Sequence, residues 1–271
     1  MHRALIALLV VALPAAAPAQ SECPRGTLPA YSHNDYENAR PLTDALSLGF
    51  VGVEADVFLV DGVLRVGHDR RAARTGGTLE ALYLAPLQAL VARCRRLTAD
   101  GRPFFLAVEL KEESAVAHDS LLTLFGRYRA LLEDSPGTSA GGAVTVVLVG
   151  WQPSAASHAH AIDAMLGRQY RLTRPDRPED SARALRDPRV RLVSLDYGKT
   201  MGRWWRTAAG RRRWLAALRA VKTSAPDRML RVHNVPADER IYAALLAAGV
   251  DLIGTKEPAA TARLLAAPGV P

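Results

Sequence analysis

Two acids one residue apart, Glu54 and Asp56 in the run Val53-Glu54-Ala55-Asp56-Val57, follow His33 of Tyr31-Ser32-His33-Asn34-Asp35-Tyr36 and precede His68 of Gly67-His68-Asp69. On a strand, side chains alternate with period 2, so the two carboxylates point the same way and can grip one hard cation. Glu109 ends a later apolar run and adds a third carboxylate. Three such groups on one rim repel one another unless a cation holds them, and an oxygen-only ligand set favours Mg²⁺ or Ca²⁺ over zinc. The expected metal ligands are therefore Glu54, Asp56 and Glu109, with His33 and His68 as the pair that moves protons.

The elements that must position these residues are short apolar, β-branched runs alternating with Ala/Leu-rich segments of helical period, which predicts parallel strands with crossover helices. Strands are expected at 29–33, 51–58, 103–109, 144–150, 168–172, 191–196, 229–233 and 250–254. Eight is the number of a TIM-type (β/α)8 barrel. Helices are expected at 40–48, 78–97, 115–133, 158–166, 179–186, 209–222, 237–247 and 258–266. Residues 135–142 form a Ser/Gly-rich loop within one domain, and Asp61-Gly62 is a hairpin turn that extends the second strand and brings His68 back to the site. On this reading His33, Glu54, Asp56, Glu109, Lys111, Asp196 and the pair His233-Asn234 all stand at carboxyl ends of strands. That is the face on which barrel enzymes carry their chemistry.

Met-His-Arg, the apolar run from Ala4 to Leu13 and the small residues from Pro14 to Ala19 have the three parts of a secretory signal peptide, so residues 1–19 are expected to be removed and 20–271 to form the barrel. The apolar run is shorter than the roughly 20 residues of a spanning helix. The protein is expected to be exported, to the periplasm or beyond. In an oxidising compartment Cys23 and Cys94 could pair. A net charge of +8 invites an anionic partner, but export argues against nucleic acid, and the arginines are scattered through Ala, Leu and Gly. Trp204-Trp205 with Arg203, Arg206, Arg211, Arg212, Arg213 and Trp214 read either as a helix with core tryptophans and solvated arginines or as a patch for peripheral membrane contact.

The ordered motifs His33-Asn34-Asp35-Tyr36, Arg40-Pro41-Leu42, Val53 to Val57 and Gly67-His68-Asp69, with Val108-Glu109-Leu110-Lys111 behind them, resemble the phosphatidylinositol-specific phospholipase C-like phosphodiesterase superfamily, which includes glycerophosphodiester phosphodiesterases. Within it the likeness runs to the branch similar to the yeast altered inheritance of mitochondria protein. Gly249 to Thr255 resembles the last strand of glycerophosphodiesterases. The resemblance implies a metal-dependent phosphoric diester hydrolase acting on a phospholipid or glycerophosphodiester. It also implies attack by a neighbouring substrate hydroxyl, giving a cyclic phosphate. One departure stands out: glycerophosphodiesterases carry His-Arg-Gly where this chain has His33-Asn34-Asp35, and Lys111, Lys199 or Arg231 could supply the positive charge in place of that arginine. The expected substrate-binding set is Asn34, Lys111, Asp196, Lys199, Arg231 and His233, in a monomer that meets a small or lipid diester.

Two other readings compete. An amidohydrolase on the same barrel would carry a His-x-His pair at the end of the first strand, and here His158-Ala159-His160 falls at an expected helix start. A secreted binding barrel without catalysis would have no need of both histidines and all three acids.

Overall fold

Strands β1 (Leu28–Ser32), β2 (Phe50–Val60), β4 (Phe104–Leu110), β5 (Val144–Gly150), β6 (Gly167–Arg171), β7 (Val190–Asp196), β8 (Met229–His233) and β9 (Leu252–Thr255) pair in parallel in that order, and β1 also pairs with β9. The sheet thus closes on itself as an eight-stranded parallel barrel. A computed structural model describes residues 23–132, 142–150, 162, 165–173 and 182–267 of the chain. Residues 1–19, most of the loop expected at 135–142, most of the helix expected at 158–166, the first three residues of the helix expected at 179–186, and the pair His158 and His160 lie outside the described residues.

The strands are apolar runs because a parallel sheet is covered on both faces. Tyr31, Phe105, Ala107, Val147, Val149, Leu192 and Leu252 fill the barrel interior. The opposite faces meet the surrounding helices in a larger core that includes Phe50, Val53, Leu106, Leu121, Trp214 and Leu245. Each of the eight barrel strands lies within two residues of its expected place.

β2 continues past Asp56 to Val60 and turns at Asp61-Gly62, both with positive φ, into the antiparallel β3 (Val63–Val66). Asn-, Asp- or Gly-bearing turns of this hand match the twist of the strands they join. The hairpin delivers Gly67 and His68 above the barrel, where the Gly67 amide donates to the Asp56 carbonyl at 3.1 Å.

The helices depart from expectation where the backbone cannot continue. The segment expected at 40–48 is helical only over α1 (Thr43–Ser47), since Leu42 before it has φ 62°. The long helix expected at 78–97 is a π-turn at Glu80–Leu84 running into α3 (Ala85–Cys94), and Arg95, with φ 62°, ends it. The helix expected at 115–133 is α4 (Ala115–Arg127) followed by a 3-10 turn at Arg129–Leu131. Two pieces were not expected: α2 (Arg70–Thr75), which has no apolar stripe and starts at the Asp69 cap, and a π-turn with one helical turn over 197–205. The later helices, α5 (Ala208–Ser224), α6 (Glu239–Leu246) and α7 (Pro258–Leu265), stand where expected. Thr207 and Asp238 cap the first two by accepting backbone N–H bonds, which fixes where each begins.

Cys23 and Cys94 form a disulfide that ties the chain ahead of β1 to the end of α3. No helix among the described residues is long and apolar enough to cross a membrane.

Candidate active site

Register builds the acidic wall. Asp56 of β2 sits beside Glu109 of β4, and Glu54 lies one inward-facing position deeper, beside Ala107. One carboxylate oxygen from each of Glu54, Asp56 and Glu109 falls within 4.8 Å of the others. Glu54 and Asp56 are 2% and 1% exposed. Asp56 Oδ1 is buried with no hydrogen-bond partner, while Oδ2 accepts from the Tyr36 hydroxyl at 2.8 Å. An oxygen-only set with an orphaned buried oxygen suits a hard divalent cation. Burial pushes the Glu54 carboxyl above its ordinary range, against the opposing pull of Arg231.

The histidines flank this wall. His33 Nε2 lies 3.3 Å from Glu54 Oε2, and the Tyr31 hydroxyl is 3.4 Å from its Nδ1. Burial, with Arg231 and Lys256 nearby, lowers the His33 pKa to about 4. His68 Nδ1 lies 3.1 Å from Asp56 Oδ2, with the Asn34 amide 3.3 Å away. The hairpin therefore does bring His68 to the acids. Asn34 and Asn234 each follow a histidine at a strand end and adopt the left-handed conformation (φ 52° and 56°), which asparagine tolerates better than most residues. Each turns the chain sharply, leaving its histidine at the rim.

Across the mouth, β7 and β8 carry a second cluster. His233 Nε2 lies 3.7 Å from Asp196 Oδ2, which also accepts from Asn234 Nδ2 at 3.0 Å. Asp196 Oδ1 accepts from the Lys199 amide at 2.9 Å, so this acid caps the following turn as well as holding the asparagine. The rings of His33 and His233 stand 5.3 Å apart. Burial drives the His233 pKa well down, reinforced by Arg231, His33, Arg171 and Lys199. Gly254 makes this packing possible: a Cβ there would come within 2.4 Å of the Tyr31 ring and 2.7 Å of His233 Cβ.

The three cations proposed to replace the missing arginine have different surroundings. Lys111 Nζ bridges Asp56 and Glu109 at 3.4 Å each, within the acidic cluster. Arg231 is 2% exposed, donates from Nε to Ser194 Oγ at 2.9 Å, lies 3.6 Å from Glu54 and stacks over Tyr31. Lys199 stands largely in solvent at 85% exposure, 3.9 Å from Asp196. Three carboxylates facing Lys111 and Arg231 leave negative charge uncompensated.

Several participants were not singled out from the sequence. Tyr36, in the first motif, touches both Asp56 and His68, and Ser194 shares the inward face of β7 with Asp196 by the period-2 rule. Asp35 is a buried anchor: its carboxylate accepts from the Leu42 amide at 2.5 Å, the Tyr83 hydroxyl at 3.1 Å and Asn38 Nδ2 at 3.3 Å. No spacing rule points to that partnership.

Residues 25–125, which hold Glu54, Asp56, Glu109 and both flanking histidines, match the AIM6-like phosphodiesterase domain family. Altered inheritance of mitochondria protein 6 from Candida glabrata is 30% identical over 164 residues, 47% of this chain and 40% of that protein. The chain spans less than half the length of the curated relatives it matches. Two solved structures share the fold at 15% identity and a TM-score of 0.53. One is a glycerophosphodiester phosphodiesterase from Agrobacterium tumefaciens, aligned over 88% of this chain and 99% of that one. The other is an Oleispira antarctica phosphodiesterase in complex with the product sn-glycerol-3-phosphate, aligned over 89% and 98%.

The likeness to these two phosphodiesterase structures is one of fold, the closed parallel barrel. Residues 25–125 are thus similar to the AIM6-like phosphodiesterase domain, and the curated relatives that share this likeness are altered inheritance of mitochondria proteins.

Proposed function

We propose that the protein is a metal-dependent phosphoric diester hydrolase acting on a phospholipid or glycerophosphodiester. The observation that carries this reading is the convergence of Glu54, Asp56 and Glu109 within 4.8 Å, with His33 and His68 each within 3.3 Å of one of the acids. These carboxylates would hold Mg²⁺ or Ca²⁺, which when bound neutralises charge building on phosphoryl oxygens.

The chain's own residues do the rest. His33 reaches Glu54 and His68 reaches Asp56, so one can take a proton from the attacking hydroxyl while the other gives one to the leaving alkoxide. Tyr36 and Asn34 orient His68. Lys111, 23% exposed at its side chain, is the cation at the acidic cluster that can meet an anionic phosphoryl oxygen, taking the place of the arginine absent after His33. Arg231 lies against Glu54 within the barrel, and Asp196, Lys199 and His233 stand across the mouth, where they can meet the rest of the diester. Where the diester carries a neighbouring hydroxyl, its attack gives a cyclic phosphate. The Cys23–Cys94 disulfide supports the export proposed from the first 19 residues, because such bonds persist in oxidising compartments.

The test is a panel of lysolipids and glycerophosphodiesters incubated with purified protein and Mg²⁺ or Ca²⁺, read by phosphorus NMR with both products identified. Turnover that requires a divalent ion, together with titration calorimetry showing binding that Asp56→Asn removes, is expected. Absence of turnover with every diester and metal would favour a binding barrel instead.

A further inference from the structure

Beyond the acidic wall, the outer rim of the mouth beside β7 and β8 carries cations whose placement helix stability does not explain. Arg211 and Arg212 lie in the opening turns of α5, and Arg240 is the second residue of α6. Positive charge at a helix N-terminus opposes the macrodipole, which favours cations at the other end. Arg203 and Arg206 flank the turn that leads into α5, and all five arginines are exposed. None forms an ion pair among the described residues: Arg203 stacks on Trp204 at 5.4 Å, and Arg211 donates to the Trp205 carbonyl. The acids of the same segments are Asp238 and Glu239, and Asp238 is engaged as the α6 cap.

A large apolar group stands among these charges. Trp204 is 43% exposed, whereas Trp205 packs on Tyr197 at 5.7 Å and Trp214 is buried in the core. The Trp204 carbonyl accepts from the Thr207 amide at 3.2 Å, which closes the turn that carries the exposed indole. An amphipathic indole beside unpaired arginines is the composition of a surface that meets the headgroup layer of a bilayer. Both crossovers that carry the patch leave carboxyl ends of strands, so it lies on the same face as His233, Asp196 and the acids.

We propose that the rim formed by the segment 203–212 and the start of α6 docks the protein on an anionic lipid bilayer, with Trp204 entering the interface and the barrel mouth turned toward the membrane. The proposal deepens the phosphodiesterase reading, on which it rests only for its consequence: the substrate would be a phospholipid drawn from that surface. Charge complementarity selects the occupant, because five unpaired arginines gain nothing from a neutral surface. At about 0.1 M salt the screening length is roughly 10 Å, so only cations close to the headgroups contribute.

Sedimentation with phosphatidylglycerol/phosphatidylcholine vesicles and with pure phosphatidylcholine vesicles, at about 0.1 M salt, tests the docking without reference to turnover. Binding is expected only to the anionic vesicles. Each arginine near the surface contributes roughly five-fold, so Arg211→Gln with Arg212→Gln should weaken binding about 25-fold. Trp204→Ala should weaken it several-fold while hydrolysis of a soluble diester stays at the parent rate. No binding to anionic vesicles, equal binding to both kinds, or full binding by the double variant overturns the proposal. Vesicle binding by a protein that cleaves no diester would leave the docking intact and remove the enzymatic reading; soluble-diester cleavage without vesicle binding would do the reverse.

Discussion

Replacing Arg231 with methionine should destabilise the barrel more than any other loss of a single positive charge at the site. Its guanidinium and the Glu54 carboxylate are each 2% exposed and 3.6 Å apart, with Ser194 and the face of Tyr31 completing the cage. Methionine keeps most of the volume but leaves Glu54 as a buried carboxylate without its counter-ion. Breaking a buried pair on one side costs about 3–5 kcal/mol. For a chain of this size each kcal/mol lowers the melting temperature by roughly 2–4 °C, so a fall of about 6–20 °C is expected. Because Glu54 is already pushed above its ordinary range by burial, losing Arg231 raises it further. The folded state then holds a proton that the unfolded chain has released, and the variant's stability should fall as pH rises through that window. Adding Glu54→Gln removes the stranded charge and should restore most of the loss. The assay is thermal and urea denaturation followed by circular dichroism, with chelator present to separate this effect from metal binding. A single variant that loses less than about 1 kcal/mol, or a double variant no more stable than the single one, would refute the reasoning.

Other perturbations probe the rest of the design. His33→Ala and His68→Ala should each lower kcat on the order of 10²-fold or more with unfolding transitions near the parent's; normal turnover in His68→Ala would make the hairpin histidine structural. Asp35 is held above its ordinary carboxyl value of 3.8, chiefly by burial, so its contribution to stability is complete below 3.8 and fades as pH rises through its folded value. Asp35→Asn should therefore flatten the urea-midpoint profile between pH 3.8 and that folded value, and parallel profiles for parent and variant across this window would contradict this. The Cys23–Cys94 bridge spans 71 residues of sequence, for which loop-closure entropy predicts about 4 kcal/mol, so Cys23→Ser with Cys94→Ser should melt well below the parent. Equal melting points would show that the bridge does not restrain the unfolded chain.

What the sequence by itself determined is what depends on neighbours along the chain. The eight strands were legible because a parallel strand covered on both faces must be a short apolar run, and the hairpin because Asp61-Gly62 permits the two positive φ angles it adopts. That Glu54 and Asp56 share a side follows from the strand period alone. Helix ends were less legible, since positive φ at Leu42 and Arg95 is imposed by packing and has no glycine to announce it. The tertiary structure decided depth and partnership. Arg231 and Lys199 look alike in the sequence, each a cation near the end of a strand, yet closure of the barrel buries the first against Glu54 and leaves the second in water. Trp204, Trp205 and Trp214 differ in the same way: one exposed, one partly covered by Tyr197, one in the core. The physical reason is common to all of these. Local periodicity fixes the side of an element on which a residue lies, while the distance from the mouth, and hence burial, dielectric and counter-ion, depends on how strands far apart in sequence are staggered when the sheet closes.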